Sequence, residues 1–530
     1  MSVSSLMVMR MYQKVGIVLF LSCLLFGLSS MTRSMITWDE PENYFVGRVY
    51  LNVLLDRSLG PLQTDRTLRL PPALPFRIDT HWERYPPFAI TLASFSSWIL
   101  AETLHVTDVV SAHHVVVVLF AAIAVAATYA IGFELSGSVF LASIAGVVLY
   151  LSPIFFGHSH INIKDIPQTA MFVLSIYFGM VATRKATPRA YALAGSVWGI
   201  ALATKFNALF VPVVLGVWFV SKYKVNKIFA QMPHLFIYIL FGLVTLFVFW
   251  PWLLLDPVGH IGSVVQYIGE VGRGLPVLFF GHRYDAGVSV PWWYAPTMVA
   301  VQSPPLVLFL ASIGILGIVW SIARNRIRTE RYMLPLIWVG IIFSRYLLPQ
   351  VIIYNGARHI MEVFPALALL VMAGVSSVLT LIEGRVGQKI GTFGISFMIG
   401  LALIVPIITL HPYEAMYFNQ IAGGIPSASK NFDFDYWGFS VGELVGQVNQ
   451  HAKNRSSTVY IEWLNFPSQY FPDNTLPFVQ TEKDNADFVI IPNSLNFFDG
   501  AIQYWKSHGK VLYAVTRSGV PIGYLFATKQ

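Results

Sequence analysis

The chain is 530 residues long, 55% hydrophobic and only 12% charged, with a mean hydropathy of +0.61. A soluble chain of this length does not carry so much apolar surface with so little charge, so the sequence reads as a polytopic membrane protein embedded in a lipid bilayer. The formal net charge of +8 does not signal nucleic-acid binding, because the basic residues cluster in short loops between apolar segments.

Arg10 and Lys14 precede an apolar run over 15–31. With no small-residue cleavage site after it, this run is expected to be an uncleaved spanning helix with a cytoplasmic N-terminus. It holds Cys23, the single cysteine, so no intramolecular disulfide can form. Further runs long enough to cross an apolar core of about 30 Å lie near 108–134, 138–157, 166–183, 190–204, 206–221, 233–252, 298–322, 332–348, 360–382 and 390–410, which predicts eleven transmembrane helices. Alternation from a cytoplasmic start puts every basic short loop inside: Arg184, Lys185 and Arg189; Lys222, Lys224 and Lys227; Arg324, Arg326, Arg328 and Arg331; Arg385 and Lys389.

The stretch 86–104 is apolar but interrupted by Ser94, Ser96, Ser97 and Glu102, and counting it as a span would move the basic loops outside. It is predicted to lie in the membrane interface. A second outer-face helix is predicted over 42–59. Beyond Pro412 the composition becomes that of a soluble unit, with helical patterns near 440–453 and 499–507 and strand patterns near 458–463, 487–491, 510–515 and 522–527. The expected division is a membrane domain over 1–410, including a first outer loop over 36–107, and a small extracytoplasmic α/β domain over 411–530.

Chemistry-bearing residues gather on the outer face. Asp39 and Glu40 follow the first span directly, where a carboxylate persists only facing water, a cavity or a partner. The short loop 157–167 between two spans holds Lys164 and Asp165 above the membrane, although a helix-capping role alone would also account for Asp165. His158 and His160 stand at i and i+2, a spacing that suits loop histidines better than a helical metal site. Arg84, Lys205, Arg345 and Arg358 are cations in outer positions where the positive-inside rule expects few, and each asks for an anionic partner, although snorkelling to headgroups would explain any one of them. Two acids, several cations suited to phosphate and an adjoining apolar bundle point to a lipid-linked phosphosugar whose tail lies along the helices. An acid would deprotonate an acceptor hydroxyl and the cations would hold the leaving phosphate.

In these motifs the chain resembles the GT-C membrane glycosyltransferases, in the branch of protein O-mannosyltransferases and lipid A aminoarabinose transferases. The resemblance covers roughly 1–410. It rests on Asp39 and Glu40 after the first span, Arg84-Tyr85-Pro86-Pro87 before the interfacial helix, Lys164-Asp165-Ile166-Pro167, Gly199-Ile200-Ala201-Leu202-Ala203-Thr204-Lys205, and Arg358-His359 leading to Phe364-Pro365-Ala366. It implies an inverting, polyprenyl-phosphate-dependent enzyme in a bacterial inner membrane, acting extracytoplasmically on a hydroxyl of protein, lipid or glycan. By the same resemblance Asp39 is the base, Glu40 its companion and Asp165 the second acid, while Arg84, Lys205, Arg358 and Lys164 hold the donor phosphate. Tyr44, His81, Tyr85, His158 and His359 are expected to line the substrate, with no cofactor assigned and a divalent metal left open. Asp433 and Asp435 form a D-x-D, read here as a structured turn near the membrane. A transporter or flippase of lipid-linked sugars is the alternative reading, but broken mid-membrane helices and an internal repeat are not evident.

Overall fold

The computed structural model describes residues 3–31, 36–60, 62, 82–223, 225–324, 332–382, 384–451, 457–462, 479–480 and 485–528. Inside lipid a helix satisfies its own backbone, so the apolar runs fold as helices. In order these are α1 (Val3–Ser30), α2 (Glu40–Leu55), α3 (Phe88–Ser97), α4 (Val109–Ser136), α5 (Val139–Leu151), α6 (Pro153–His158), α7 (Asp165–Lys185) and α8 (Pro188–Leu202). They continue as α9 (Phe210–Lys222), α10 (Val225–Phe249), α11 (Pro257–Glu270), α12 (Tyr294–Val301), α13 (Pro305–Ala323), α14 (Met333–Ser344), α15 (Val363–Leu381) and α16 (Arg385–Leu410).

Each of the eleven predicted spans corresponds to a helix. Among the described residues α1, α4, α7, α10, α13, α15 and α16 are long and apolar enough to cross a membrane, and the chain is a multi-pass membrane protein. Two predicted runs are broken where proline forbids continuation. The run 138–157 ends α5 at Leu151 and restarts at Pro153 as α6, and 298–322 splits before Pro304 and Pro305 into α12 and α13. The stretch 86–104, expected to lie in the interface, is α3 followed by a π-helical turn over Trp98–Thr103. Helices α13 and α15 touch backbone to backbone, since a Cβ on Gly314 would strike the Leu370 carbonyl and one on Gly374 the Leu310 carbonyl.

Between α11 and α12 the chain makes an antiparallel hairpin, β1 (Pro276–Phe279) with β2 (His282–Asp285). After α16 it does not leave the bundle. Asn419 donates to the carbonyls of Ala300 at 2.8 Å and Ser303 at 2.7 Å, at the break between α12 and α13. Phe432, at the end of α17 (Gly424–Asn431), bridges to Phe279 of β1. Next come α18 (Val441–His451), β3 (Thr458–Ile461), β4 (Val479–Gln480), β5 (Phe488–Pro492), α19 (Leu495–His508), β6 (Lys510–Arg517) and β7 (Val520–Ala527). Their sheet has the order β4-β3-β5-β7-β6, with β3 parallel to β4 and β5 and the remaining pairs antiparallel. The predicted strands and helices of this unit match; β4 and α17 within it, and α11 and the hairpin earlier in the chain, are additions.

Candidate active site

A helix start offers free N–H groups and the positive end of a dipole, which favours carboxylates there. Asp39 is the N-cap residue of α2 and Asp165 the first residue of α7, so two helix starts deliver two acids to one face. Helix α7 runs from Asp165 to Lys185, and 21 residues at 1.5 Å each put its basic end about 30 Å away. The Asp39 carboxylate makes no capping hydrogen bond and is 25% exposed, whereas that of Asp165 is 3% exposed.

Arg358, on a 3-10 turn over Gly356–Ile360, stands between them. Its Nη1 is 3.7 Å from Asp39 Oδ2 and 4.0 Å from Asp165 Oδ2. Lys164 Nζ comes within 3.8 Å of Asp39 Oδ2 and lies 4.9 Å from the centroid of the Tyr85 ring. Lys205, just after α8, donates to Asp165 Oδ1. A buried carboxylate is tolerated only when paired and hydrogen-bonded, and Asp165 is both: Asn162 Nδ2 donates to its Oδ2 at 2.8 Å, while Asn162 Oδ1 accepts from the backbone N–H groups of Lys164 and Asp165. Asn162 also meets His158 Nδ1 at 3.1 Å, and His158 Nε2 meets the Tyr436 hydroxyl at 3.0 Å. Burial pulls the His158 imidazole down to about 3, so this relay of hydrogen bonds is neutral.

The loop that carries Arg358 is pinned from the far end of the chain. Asp433 accepts from the backbone N–H of Asn355 at 3.2 Å, from that of Leu278 at 2.8 Å and from the Tyr294 hydroxyl at 3.3 Å. Asp435 accepts from Phe439 N–H and Ser440 Oγ, and burial pushes its carboxyl up to about 7. The D-x-D is thus a structured turn, as expected, and it sets Trp437 over Arg358 with the guanidinium carbon 4.3 Å from the ring centroid.

Four buried polar atoms here have no hydrogen-bond partner among the described residues: Arg358 Nε, the Tyr85 hydroxyl, His359 Nε2 and Trp437 Nε1. Burial, with Arg358 and Lys205 adding to it, lowers His359 well below the usual histidine range, so its ring is neutral. Leaving a buried polar group unpaired costs roughly 1–3 kcal/mol. Such groups around an incompletely bonded guanidinium suit an anionic, oxygen-rich guest.

Five of the predicted site residues, Asp39, Lys164, Asp165, Lys205 and Arg358, come together in this cluster, with Tyr85, His158 and His359 beside it. Others do not. Glu40 turns away and accepts from Thr37 N–H at 3.0 Å and meets His114 Nε2 at 3.2 Å. Tyr44 donates to Glu102, which also holds Arg48 through two hydrogen bonds. Arg84, half-buried in the turn Trp82–Arg84, makes no ion pair among the described residues, and His81 lies outside them. His160 faces Ser30 Oγ and the Phe156 carbonyl, so it does not converge with His158. Arg345 is buried against Glu362. Asn162, Asp433, Tyr436 and Trp437 complete the site without having been singled out for it. The available signal was the dense run of aromatic and acidic residues over 432–439.

Residues 93–254 match the family model described as dolichyl-phosphate-mannose-protein mannosyltransferase, which bears out the expected resemblance over that stretch. No curated protein matches the chain. Among solved structures the chain is similar to ArnT from Cupriavidus metallidurans in the apo state, at 15% identity over 97% of this chain and 98% of that one, with a TM-score of 0.49. The same protein bound to undecaprenyl phosphate gives 14% identity, the same coverage and a TM-score of 0.49. The archaeal oligosaccharyltransferase AglB from Archaeoglobus fulgidus, in complex with an inhibitory peptide and a dolichol-phosphate, gives 12% identity over 98% of this chain and 74% of that one, with a TM-score of 0.48.

Proposed function

We propose that the chain is an inverting glycosyltransferase that moves a sugar from a polyprenyl-phosphate donor to a hydroxyl acceptor on the outer face of a bacterial inner membrane. The observation that carries the reading is Arg358, a buried guanidinium shared between Asp39 and Asp165 with its Nε unbonded. The name of the family model matched over 93–254 supports a polyprenyl-phosphate donor.

The two acids have different work. Asp165 is saturated by Lys205 and Asn162, so it fixes the cations. Asp39 is partly exposed and free of capping duty, which suits a base. Asp39 takes the proton of the acceptor hydroxyl as that oxygen attacks the anomeric carbon from the face opposite the phosphate. The bond between the anomeric carbon and the phosphate oxygen breaks, and its electron pair leaves with the polyprenyl phosphate. Arg358 and Lys164 stabilise the charge that develops there, a contribution that is commonly the largest single one in such sites. The division into a membrane body over 1–410 and an extracytoplasmic unit over 411–530 belongs to the same proposal, with residues 413–439 reaching into the body's site.

The test is transfer from a labelled polyprenyl-phosphate sugar by purified protein in lipid. Asp39→Asn should slow transfer about a hundredfold or more, the usual worth of a general base, while donor binding is retained. Transfer at the wild-type rate in that variant would overturn the role of Asp39.

A further inference from the structure

Trp437 lies far beyond the 93–254 stretch matched by the family model. It is nevertheless built into the cluster from three sides. Its ring covers the Arg358 guanidinium at 4.3 Å and meets the His158 ring in a T-shaped contact at 5.5 Å between centroids, and its carbonyl accepts from the backbone N–H of Trp38 at 3.4 Å, the residue before Asp39. The residue is 2% exposed, yet its indole N–H has no acceptor among the described residues. The neighbouring Arg358, with its side chain 7% exposed, has the same property at Nε.

The stacked ring and guanidinium thus each carry a buried, unbonded donor, one neutral and one on a cation. An aromatic face over a guanidinium also excludes water from it, which strengthens its interaction with an anion. The carboxylates that flank Arg358 lie 3.7 and 4.0 Å from its Nη1 and leave Nε without an acceptor. A tetrahedral phosphate supplies several acceptor oxygens at once and matches guanidinium geometry.

Resting on the donor reading above, we propose that Trp437 is a phosphate-binding residue of the donor site, its indole N–H and Arg358 Nε–H holding oxygens of the same phosphate group. The segment over 413–439 is then part of the donor site and not a tether to the following sheet. Trp437 also ties the cluster together, because its backbone is bonded to the residue preceding the base.

The experiment measures binding of undecaprenyl phosphate in lipid nanodiscs, and of inorganic phosphate as a tail-free probe, to the full chain and to Trp437→Phe. The variant keeps an aromatic ring beside Arg358 and removes the N–H together with the pyrrole part of the indole, so the variant's thermal midpoint is measured alongside. The expected result is about tenfold weaker binding of both probes, the scale of one hydrogen bond to a charged group, with the KM for acceptor unchanged. Equal binding by variant and wild type would overturn the inference, as would a loss confined to the lipid probe, which would place Trp437 on the tail. Wild-type protein that binds neither probe would instead overturn the donor reading on which the inference stands. Should Trp437→Phe fold poorly, the indole 15N–1H resonance of Trp437 in wild-type protein decides the matter. It should move on adding undecaprenyl phosphate, and a stationary resonance at saturating probe would overturn the contact.

Discussion

Two buried arginines stand thirteen residues apart, each beside carboxylates, and they are bonded in opposite ways. Arg345 donates to Glu362 at 3.2 Å, to the Tyr346 hydroxyl and to the His359 carbonyl at 2.9 Å, and Glu362 takes a further bond from Asn207 at 2.8 Å. Arg358 lies no nearer than 3.7 Å to either of its acids and leaves Nε unbonded. The first cluster is bonded directly through both Nη atoms of its arginine and acts as a girder under the turn that carries the second. The second keeps capacity in reserve, which a structural ion pair has no reason to do and a binding site does.

That contrast can be broken by substitution. The largest expected effect on stability is at the girder: Glu362→Ala strands a buried guanidinium and should cost about 3–5 kcal/mol, read as a fall in the thermal midpoint in lipid. Arg358→Gln should cost less stability than that, because Lys205 and Asn162 still compensate Asp165 and Lys164 still approaches Asp39. Its damage should fall on transfer, slowed about a hundredfold or more through lost stabilisation of the leaving phosphate. If Arg358→Gln unfolds the protein as readily as Glu362→Ala does, the two clusters are alike and the contrast is void.

The smallest effect lies at His411, which shares a 2.7 Å contact with Glu414. That hydrogen bond raises the His411 pKa above its ordinary value, against the pull of partial burial. A raised folded-state value means that the pair stabilises fully below the unfolded histidine value near 6.5 and that the benefit fades as pH rises through the folded value. The thermal midpoint of wild type should therefore exceed that of His411→Gln most at acidic pH, with the gap closing toward alkaline pH. A gap that widens with pH would contradict the pairing.

Much of this was legible in the sequence, for reasons that differ by region. The spans were legible because hydrocarbon permits only self-satisfied backbone, so length and apolarity nearly suffice. Where they misled, at 138–157 and 298–322, the apolar run continued through prolines that the backbone could not follow. Asp39, Lys164, Asp165, Lys205 and Arg358 were legible because charge beside a membrane needs a reason. The side on which each would point was not. Asp39 stands at the N-cap position of α2 without capping it, while Glu40 is the first residue of the same helix, and one step of about 100° turns Glu40 from the cluster toward His114. Asn162 and Trp437 were hidden for another reason: their roles arise from contacts 3 residues away in one case and 79 to 399 residues away in the other, and only the folded chain brings the latter together.

The close seating of the segment after α16 also sets a rule for protein engineering. A Cβ at Gly157 would collide with the backbone of Ala415, so the loop over 157–167 and the start of this segment pass without room for a side chain between them. A truncation boundary drawn at the end of the last span would look natural on a hydropathy plot. It would strip the ring from Arg358 and the carboxylate from Asn355 N–H while every helix of the bundle stayed in place. Chimeras and truncations should therefore carry residues 413–440 with the membrane body, and exchange only residues 441–530.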